Sequence, residues 1–288
     1  MNQQKIAVIG GDERALEAAS ALLRAGKRVA LYGFEEAPAK RCGGYGLDAC
    51  EEPYTVKEAI TGADIVLLPV PVYRRGVFNA PFRAGGFDGE ERAVAGAGVT
   101  LLGGGIPAAL AMGNVTLDLL SDPGFAEQNA LPSAEGAIGL ALLNYRSVLE
   151  NSGCAVLGYG RIGRMTAKKL AALGAAVTVY DRKEEKRRAA RTAGHAAEDF
   201  PALAENIGRY DLIFNTVPFP VADAQTVRAA SPHTLYLELA SSPGGLAAPA
   251  REEAPFTVLD APGLPGKYSP RYAGEYLARR ILDALDKK

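Results

Sequence analysis

The chain is short of the residues that build metal centres, disulfide frameworks and membrane spans. Only two histidines occur in 288 residues, His195 and His233, and neither stands in a metal-ligand spacing, which argues against a histidine-built metal site. There are three cysteines, Cys42, Cys50 and Cys154. An odd, sparse set suits a reducing compartment rather than a disulfide scaffold, and Cys42 and Cys50 read as thiols in or near a loop. Neither sign of charge is in excess: the formal net charge is −1 and the pI about 6.2, so neither nucleic acid nor an anionic membrane surface is an expected partner. No apolar run approaches the roughly 20 residues needed to cross a bilayer. Met1 to Lys5 leads straight into a strand, without a basic and apolar signal segment. A cytoplasmic protein is expected.

What is present is an α/β rhythm, in a chain long enough for about two domains and 48% hydrophobic. Its most informative stretch is Gly158-Tyr159-Gly160-Arg161-Ile162-Gly163. The apolar run Cys154 to Leu157 leads into it and reads as a buried parallel strand. Ile162 to Leu173 follows with helical spacing, stopped by Gly174, and a second apolar run, Ala176 to Tyr180, ends at Asp181. A G-x-G-x-x-G between strand and helix, with an acid closing the next strand, is the dinucleotide fingerprint. Gly158 allows the tight turn, Gly160 lets backbone N–H groups approach a pyrophosphate, and Gly163 lets the helix pack closely, its N-terminus facing the phosphates. Asp181 favours NAD by meeting the ribose hydroxyls, whereas Arg182, with Lys183, Lys186, Arg187 and Arg188 close by, can clamp the extra phosphate of NADP. Both dinucleotides stay open, and the basic run also reads as a solvated helix face.

The first half repeats the pattern. Ile6 to Ile9, Val29 to Tyr32, Ile65 to Leu68 and Val99 to Leu102 read as strands, and Glu13 to Ala25 as a helix with Asp12 as N-cap. The turn Gly10-Gly11-Asp12-Glu13-Arg14-Ala15 lacks the second and third fingerprint glycines, so it is no ordinary dinucleotide site. Arg14 there is either an anchor for a substrate carboxylate or a surface charge. Pro132-Ser133 reads as the start of a helix reaching roughly Leu149, with Ser133 as N-cap and Ile138, Leu142, Leu143 and Val148 on its apolar side. Ser269-Pro270 starts a last helix whose Ala273, Leu277, Ile281 and Leu285 recur every four residues. The expected architecture is two Rossmann-like, doubly wound parallel-sheet domains with a cleft between them. Residues 1–130 form the substrate or partner domain, with helix 269–288 returning to it, and 131–268 form the NAD(P)-binding domain.

Ligands in such sheets sit beyond the carboxyl ends of the strands. The loops expected there are Asn215-Thr216-Val217-Pro218, the segment Ala240 to Gly245 after the strand Leu235 to Leu239, and Ala261 to Lys267. Thr216, Ser241 and Ser242 can orient a ring or carboxamide, Thr216, Val217 and Pro218 are candidate cofactor contacts, and Lys267 and Arg271 can pair with carboxylates. Turn chemistry alone is the competing account of each.

These same segments resemble the dipicolinate synthase A-subunit family. The resemblance runs over nearly the whole chain, through Ile6 to Asp12, Leu67 to Val70, Asn129 to Gly136, Leu157 to Gly163, Asn215 to Pro218, Leu237 to Gly245 and Ala261 to Lys267. It implies oxidation of dihydrodipicolinate, or its hydrated precursor from the lysine pathway, to dipicolinate, with a nicotinamide cofactor as hydride acceptor. It also implies a partner, the flavoprotein-like B-subunit of the same synthase, in the mother cell of a sporulating bacterium; further copies of this chain stay open as partners. For that reaction Glu135, Lys267 and Ser241 are the candidate catalytic residues, Glu135 as proton acceptor or merely as a favourable charge at a helix start. Arg14, Arg271 and Ser133 are the candidate substrate contacts. The family pattern implies NADP and lacks an acid at the position of Asp181, and the segment Val72 to Gly89, with Arg74 and Arg75, matches none of it. Two other readings stand beside this one. A two-domain 2-hydroxyacid dehydrogenase would need a His–acid pair and an arginine together in one loop region. A cofactor-binding subunit of a flavoprotein complex would need no chemistry of its own.

Overall fold

The computed structural model describes residues 3–37 and 45–287; Cys42 lies outside them. Two compact units form, one from Met1–Ala126 with Ser269–Lys288 and one from Glu127–Tyr268. Each is built on a parallel sheet, as the apolar runs require: strands covered on both faces read as continuous hydrophobic runs.

The first unit holds β1 (Lys5–Ile9), α1 (Glu13–Arg24), β2 (Arg28–Tyr32), β3 (Ile65–Leu67), β4 (Tyr73–Arg74), β5 (Val77–Phe78), β6 (Thr100–Gly103) and β7 (Val115–Asp118). Its main sheet has the order β2-β1-β3-β6-β7, every pair parallel. The order reverses between β1 and β3, the point at which doubly wound sheets open a crevice. Asp12 caps α1 as expected, accepting from the Arg14 N–H. The segment Val72 to Gly89 forms the β4–β5 hairpin and the loop after it. The hairpin turns at Arg75 and Gly76, both with positive φ. The following residues fold down on the Gly10–Gly11 turn: the Gly11 N–H donates to the Asn79 carbonyl at 2.9 Å, and a Cβ on Gly10 would stand 2.9 Å from the Phe78 ring.

The last helix packs on α1 within this unit, burying Ala273, Leu277, Ile281 and Leu285 as the four-residue spacing predicts. Gly274 permits the approach, since a Cβ there would lie 2.4 Å from the Glu17 Cβ. Ser269 stands at its N-cap but its side chain makes no capping hydrogen bond.

The expected helix start at Pro132-Ser133 is corrected. The helix, α2, runs Pro123–Asn144 with Pro132 in its interior, and the division between units falls inside it. An interior proline costs roughly 3 kcal/mol. Here the burial of Ala130, Ala134, Ala137, Ile138 and Ala141 along one stripe offsets that cost. Ser133 is therefore not an N-cap; it is buried, and its Oγ donates to the Asn129 carbonyl at 2.7 Å. Leu142, Leu143 and Val148, expected on the apolar side, are exposed.

The second unit continues with β8 (Gly153–Leu157), α3 (Arg161–Ala172), β9 (Ala176–Tyr180), α4 (Glu184–Thr192), β10 (Ala196–Glu198), β11 (Leu212–Asn215), β12 (Leu235–Glu238), β13 (Thr257–Asp260), the single-turn α5 (Leu264–Tyr268), and then the chain passes to α6 (Pro270–Leu285) described above. Its sheet is wholly parallel, in the order β10-β9-β8-β11-β12-β13. That is the dinucleotide-binding arrangement, with its switch point between β8 and β11. Apolar layers cover both faces, centred on Val156, Leu170 and Phe214 on one side and Leu157, Ile213 and Tyr236 on the other. No described helix is long and apolar enough to cross a membrane.

Candidate functional site

The fingerprint turn lies at the carboxyl end of β8, and its three glycines meet three different constraints. Gly158 has φ +90°, and a Cβ there would stand 2.7 Å from the Thr216 Oγ1 and 2.8 Å from a Val217 methyl. Gly163 lies so close to the turn that a Cβ would be 2.0 Å from the Gly158 carbonyl oxygen. Gly160, by contrast, has nothing among the described residues within 4 Å of such a Cβ and heads α3 with no side-chain cap. An open, uncapped helix N-terminus approached through a glycine is the donor set a pyrophosphate needs, so the residues fit a dinucleotide. Arg161 and Ile162 form the first turn of α3. Arg161 is exposed and ion-paired at 3.6 Å with Glu127, which Arg164 also meets at 3.4 Å. Tyr159 is buried, its ring edge-on to His195.

Asp181 closes β9 as expected and is buried. One carboxylate oxygen accepts the Tyr159 N–H at 2.8 Å and the other the Lys183 N–H at 3.0 Å, with the Lys186 ammonium 3.5 Å away. The carboxylate thus ties the fingerprint turn to the start of α4. Arg182 is exposed, its guanidinium 5.1 Å from the centre of the Phe219 ring. Arg187 turns inward, donating to the Asp181 carbonyl and pairing with Glu184.

Next to the fingerprint strand, the Thr216 hydroxyl donates to the Leu157 carbonyl at 2.8 Å, Val217 is buried and Pro218 is exposed. Beneath this loop lies a buried polar pair that sequence reasoning passed over. Asn215 and Glu238 end β11 and β12 as register partners and bond at 2.6 Å. The signal was present in the sequence, since a polar residue ending each of two apolar strands needs a partner, but nothing local said that the two would be each other's.

Other candidates take more ordinary places. Arg14 is neither a surface charge nor open to a ligand: it is buried, paired with both Asp12 oxygens at 2.8 Å, and donates to the Val70 carbonyl. Arg74 reaches the same Asp12 at 3.3 Å. Burial alone would raise the Asp12 carboxyl, but the Arg14 hydrogen bond and the charges of Arg14 and Arg74 hold it below its ordinary value. Arg271 is exposed and paired with Glu275 at 3.1 Å, one turn along the same helix. Glu135 lies twelve residues inside α2, so the helix-start argument for it lapses; it is exposed and paired with Lys169 at 2.7 Å. Ser241 is exposed in the loop after β12. Lys267 is exposed on α5, which the buried Leu264, Pro265 and Gly266 hold in place.

Both histidines stand at the amino ends of strands, whereas ligands in such sheets sit beyond the carboxyl ends. His195 and His233 precede β10 and β12, rather than following a strand. His195 is buried, and burial lowers its imidazole below the ordinary value. No cluster of three metal-ligating side chains occurs among the described residues.

Comparison with known proteins agrees with both halves of this picture. The family model for the N-terminal domain of the dipicolinate synthase A-subunit matches residues 5–109, and that for the NAD-binding domain of D-isomer specific 2-hydroxyacid dehydrogenases matches residues 142–231. The chain is 31% identical to the dipicolinate synthase A-subunit of Bacillus subtilis (strain 168) over 293 residues, 98% of this chain and 95% of that protein. The crystal structure of the dipicolinate synthase A-subunit from Bacillus halodurans matches with a TM-score of 0.82 at 25% identity, over 98% of this chain and 97% of that one. The crystal structure of the corresponding Bacillus subtilis chain matches with a TM-score of 0.80 at 28% identity, over 100% of this chain and 97% of that one. With a dinucleotide turn in its second unit and this similarity along both, the chain belongs to the dipicolinate synthase A-subunit family.

Proposed function

We propose that this chain oxidises dihydrodipicolinate to dipicolinate during sporulation, together with a flavoprotein-like B-subunit. The observation that carries this reading is the open, glycine-lined helix start at Gly160 in a chain that aligns with the A-subunit family over nearly its whole length. The substrate ring loses a hydride to the dinucleotide and a proton to solvent water and becomes aromatic, so orientation matters more than acid–base strength. A bound nicotinamide dinucleotide supplies the hydride acceptor. The N–H groups of the Gly158–Gly163 turn and the start of α3 would bind its phosphates, and Asp181 would meet the adenosine ribose. Thr216, Val217 and Ser241 would orient the nicotinamide and the ring. Lys267, which has no ion-pair partner among the described residues, anchors a substrate carboxylate. Arg14 and Glu135 carry no part in this scheme, since Asp12 and Lys169 hold their charges.

Freshly generated dihydrodipicolinate, mixed with the chain and either NAD or NADP, should reduce the nicotinamide. Turnover with neither dinucleotide, whether or not the B-subunit is present, would overturn the proposal. Lys267→Ala should raise the KM for the dicarboxylate about tenfold, the worth of one charge-assisted contact. An unchanged KM would remove Lys267 from the site.

Cofactor choice follows from Asp181. Its carboxylate closes β9, the position that meets the ribose hydroxyls in this fold, and a 2′-phosphate there would meet like charge. NAD should therefore be preferred, and Asp181→Asn should shift the ratio of kcat/KM values for NAD and NADP toward NADP by roughly tenfold. Steady-state kinetics with both dinucleotides check it; a ratio that does not move would assign the discrimination to Arg182 and its neighbours.

A further inference from the structure

The order β10-β9-β8-β11-β12-β13 divides the carboxyl edge of the second sheet between two halves of a dinucleotide. With the pyrophosphate at the Gly158–Gly163 turn, the adenosine half extends over β9 and the nicotinamide half over β11 and β12. Asp181 belongs to the first half, whereas Asn215 and Glu238, adjacent on the second, lie under the loops that would receive the nicotinamide.

Glu238 accepts three hydrogen bonds, although Asp260, its register partner on β13, is a like charge beside it. Its Oε1 accepts the Asn215 Nδ2 at 2.6 Å and the Ala240 N–H at 3.0 Å, and its Oε2 accepts the Gly245 N–H at 2.8 Å. Asn215 completes the link by donating to the Val217 carbonyl at 2.9 Å and accepting the Val217 N–H at 3.1 Å. One carboxylate thereby joins the loop after β11 to both ends of the segment Ala240–Gly245, which carries Ser241. The joint is tight. A Cβ on Gly245 would stand 2.5 Å from the Tyr236 hydroxyl, which is buried without a hydrogen-bond partner among the described residues, and one on Gly244 would stand 2.8 Å from the Glu238 Oε2. Burial, and more weakly the charge of Asp260, raise the Glu238 carboxyl above its ordinary value, opposed by its bonds from Gly245, Asn215 and Ala240. A carboxylate that accepts from three N–H groups offers them what a neutral amide or acid cannot, since either would bring its own hydrogen to one of them.

We propose that ionised Glu238 is a positioning residue for the nicotinamide half of the cofactor, holding the Asn215–Val217 and Ala240–Gly245 loops in the geometry that receives it. The proposal rests on the dinucleotide reading of the second unit and is independent of the dicarboxylate substrate. Its test compares ligands that share the adenosine half. The full chain and its Glu238→Gln variant are titrated by calorimetry with NADH and ADP-ribose, and with NADPH and 2′-phospho-ADP-ribose. The variant should bind the ribose phosphates within about twofold of the unaltered chain and the reduced dinucleotides about tenfold more weakly, the worth of one charge-assisted bond lost against a buried N–H. Circular dichroism and thermal melting monitor folding. If that variant does not fold, Asn215→Ser, which removes one donor and leaves the Gly245 and Ala240 bonds, carries the same comparison. A uniform loss for both ligand classes, or no loss for either, overturns the proposal. Failure of the unaltered chain to bind any of the four overturns the dinucleotide reading and this inference with it.

Discussion

Gly163→Ala should cost this protein both stability and dinucleotide binding, whereas Gly160→Ala should cost it binding alone. At Gly163 the new Cβ would fall 2.0 Å from the Gly158 carbonyl oxygen. That obstacle is backbone and cannot swing aside, so α3 must move away from β8. Alanine gains about 1 kcal/mol of helix propensity over glycine, but overpacking of this kind costs about 1–3 kcal/mol and sometimes more. A net loss of about 1 kcal/mol by urea denaturation is expected, the difference between the two. The displaced turn should also raise the Kd for the dinucleotide at least about tenfold. At Gly160 the backbone already has a negative φ and nothing among the described residues lies within 4 Å of the added methyl. The fold should tolerate it, yet the methyl occupies the space through which the phosphates approach the helix N–H groups. Gly160→Ala should therefore melt within a degree or two of the parent, about the size of a change below 0.5 kcal/mol, and still lose dinucleotide affinity. Equal melting of both variants would show that the two glycines do not have separate tasks.

Arg14→Met is the second large effect, and it concerns the first unit alone. The guanidinium and Asp12 form a bidentate pair with little exposure, and Arg14 also donates across the β1–β3 switch point to Val70. Removing one member of a buried pair leaves the other uncompensated, at a cost of about 3–5 kcal/mol. The lower end is expected, because Arg74 stays 3.3 Å from Asp12. The pH dependence gives a second signature. In the parent the folded Asp12 carboxyl lies below its ordinary value, so its contribution is present above the unfolded value and lost as pH falls through the folded one. In the variant burial raises the carboxyl, and its penalty is relieved on protonation. The stability gap between the two should therefore narrow as pH falls from neutral into the acid range. A gap that stays constant, measured by urea denaturation across that range, would place the loss in packing rather than in the charge pair.

How far the amino-acid sequence reaches is clear from particular residues. Ile6–Ile9, Cys154–Leu157, Ala176–Tyr180 and Leu212–Phe214 are apolar runs between turn residues, and each forms a buried strand. The fingerprint glycines, Asp181 at the end of β9 and the four-residue spacing of the last helix were equally legible, because each is a local pattern whose geometry follows from a few neighbouring residues. Local signals misled where packing outweighed them. Pro132-Ser133 reads as a helix start, but a stripe of buried alanines carries α2 through it. The same limit explains Arg14: its neighbour Asp12 was visible, but the Val70 carbonyl that fixes it lies 56 residues away.

What the sequence alone determined is thus the class of the fold, the place of the dinucleotide turn and the family resemblance. What only the tertiary structure decided is which polar side chains are already engaged. Arg14 is held by Asp12, Glu135 by Lys169, and Glu238 by Asn215 and two loop N–H groups. The physical reason is that strands and helices follow from local periodicity, whereas the partners of a buried charge are set by which distant segments the sheet brings side by side.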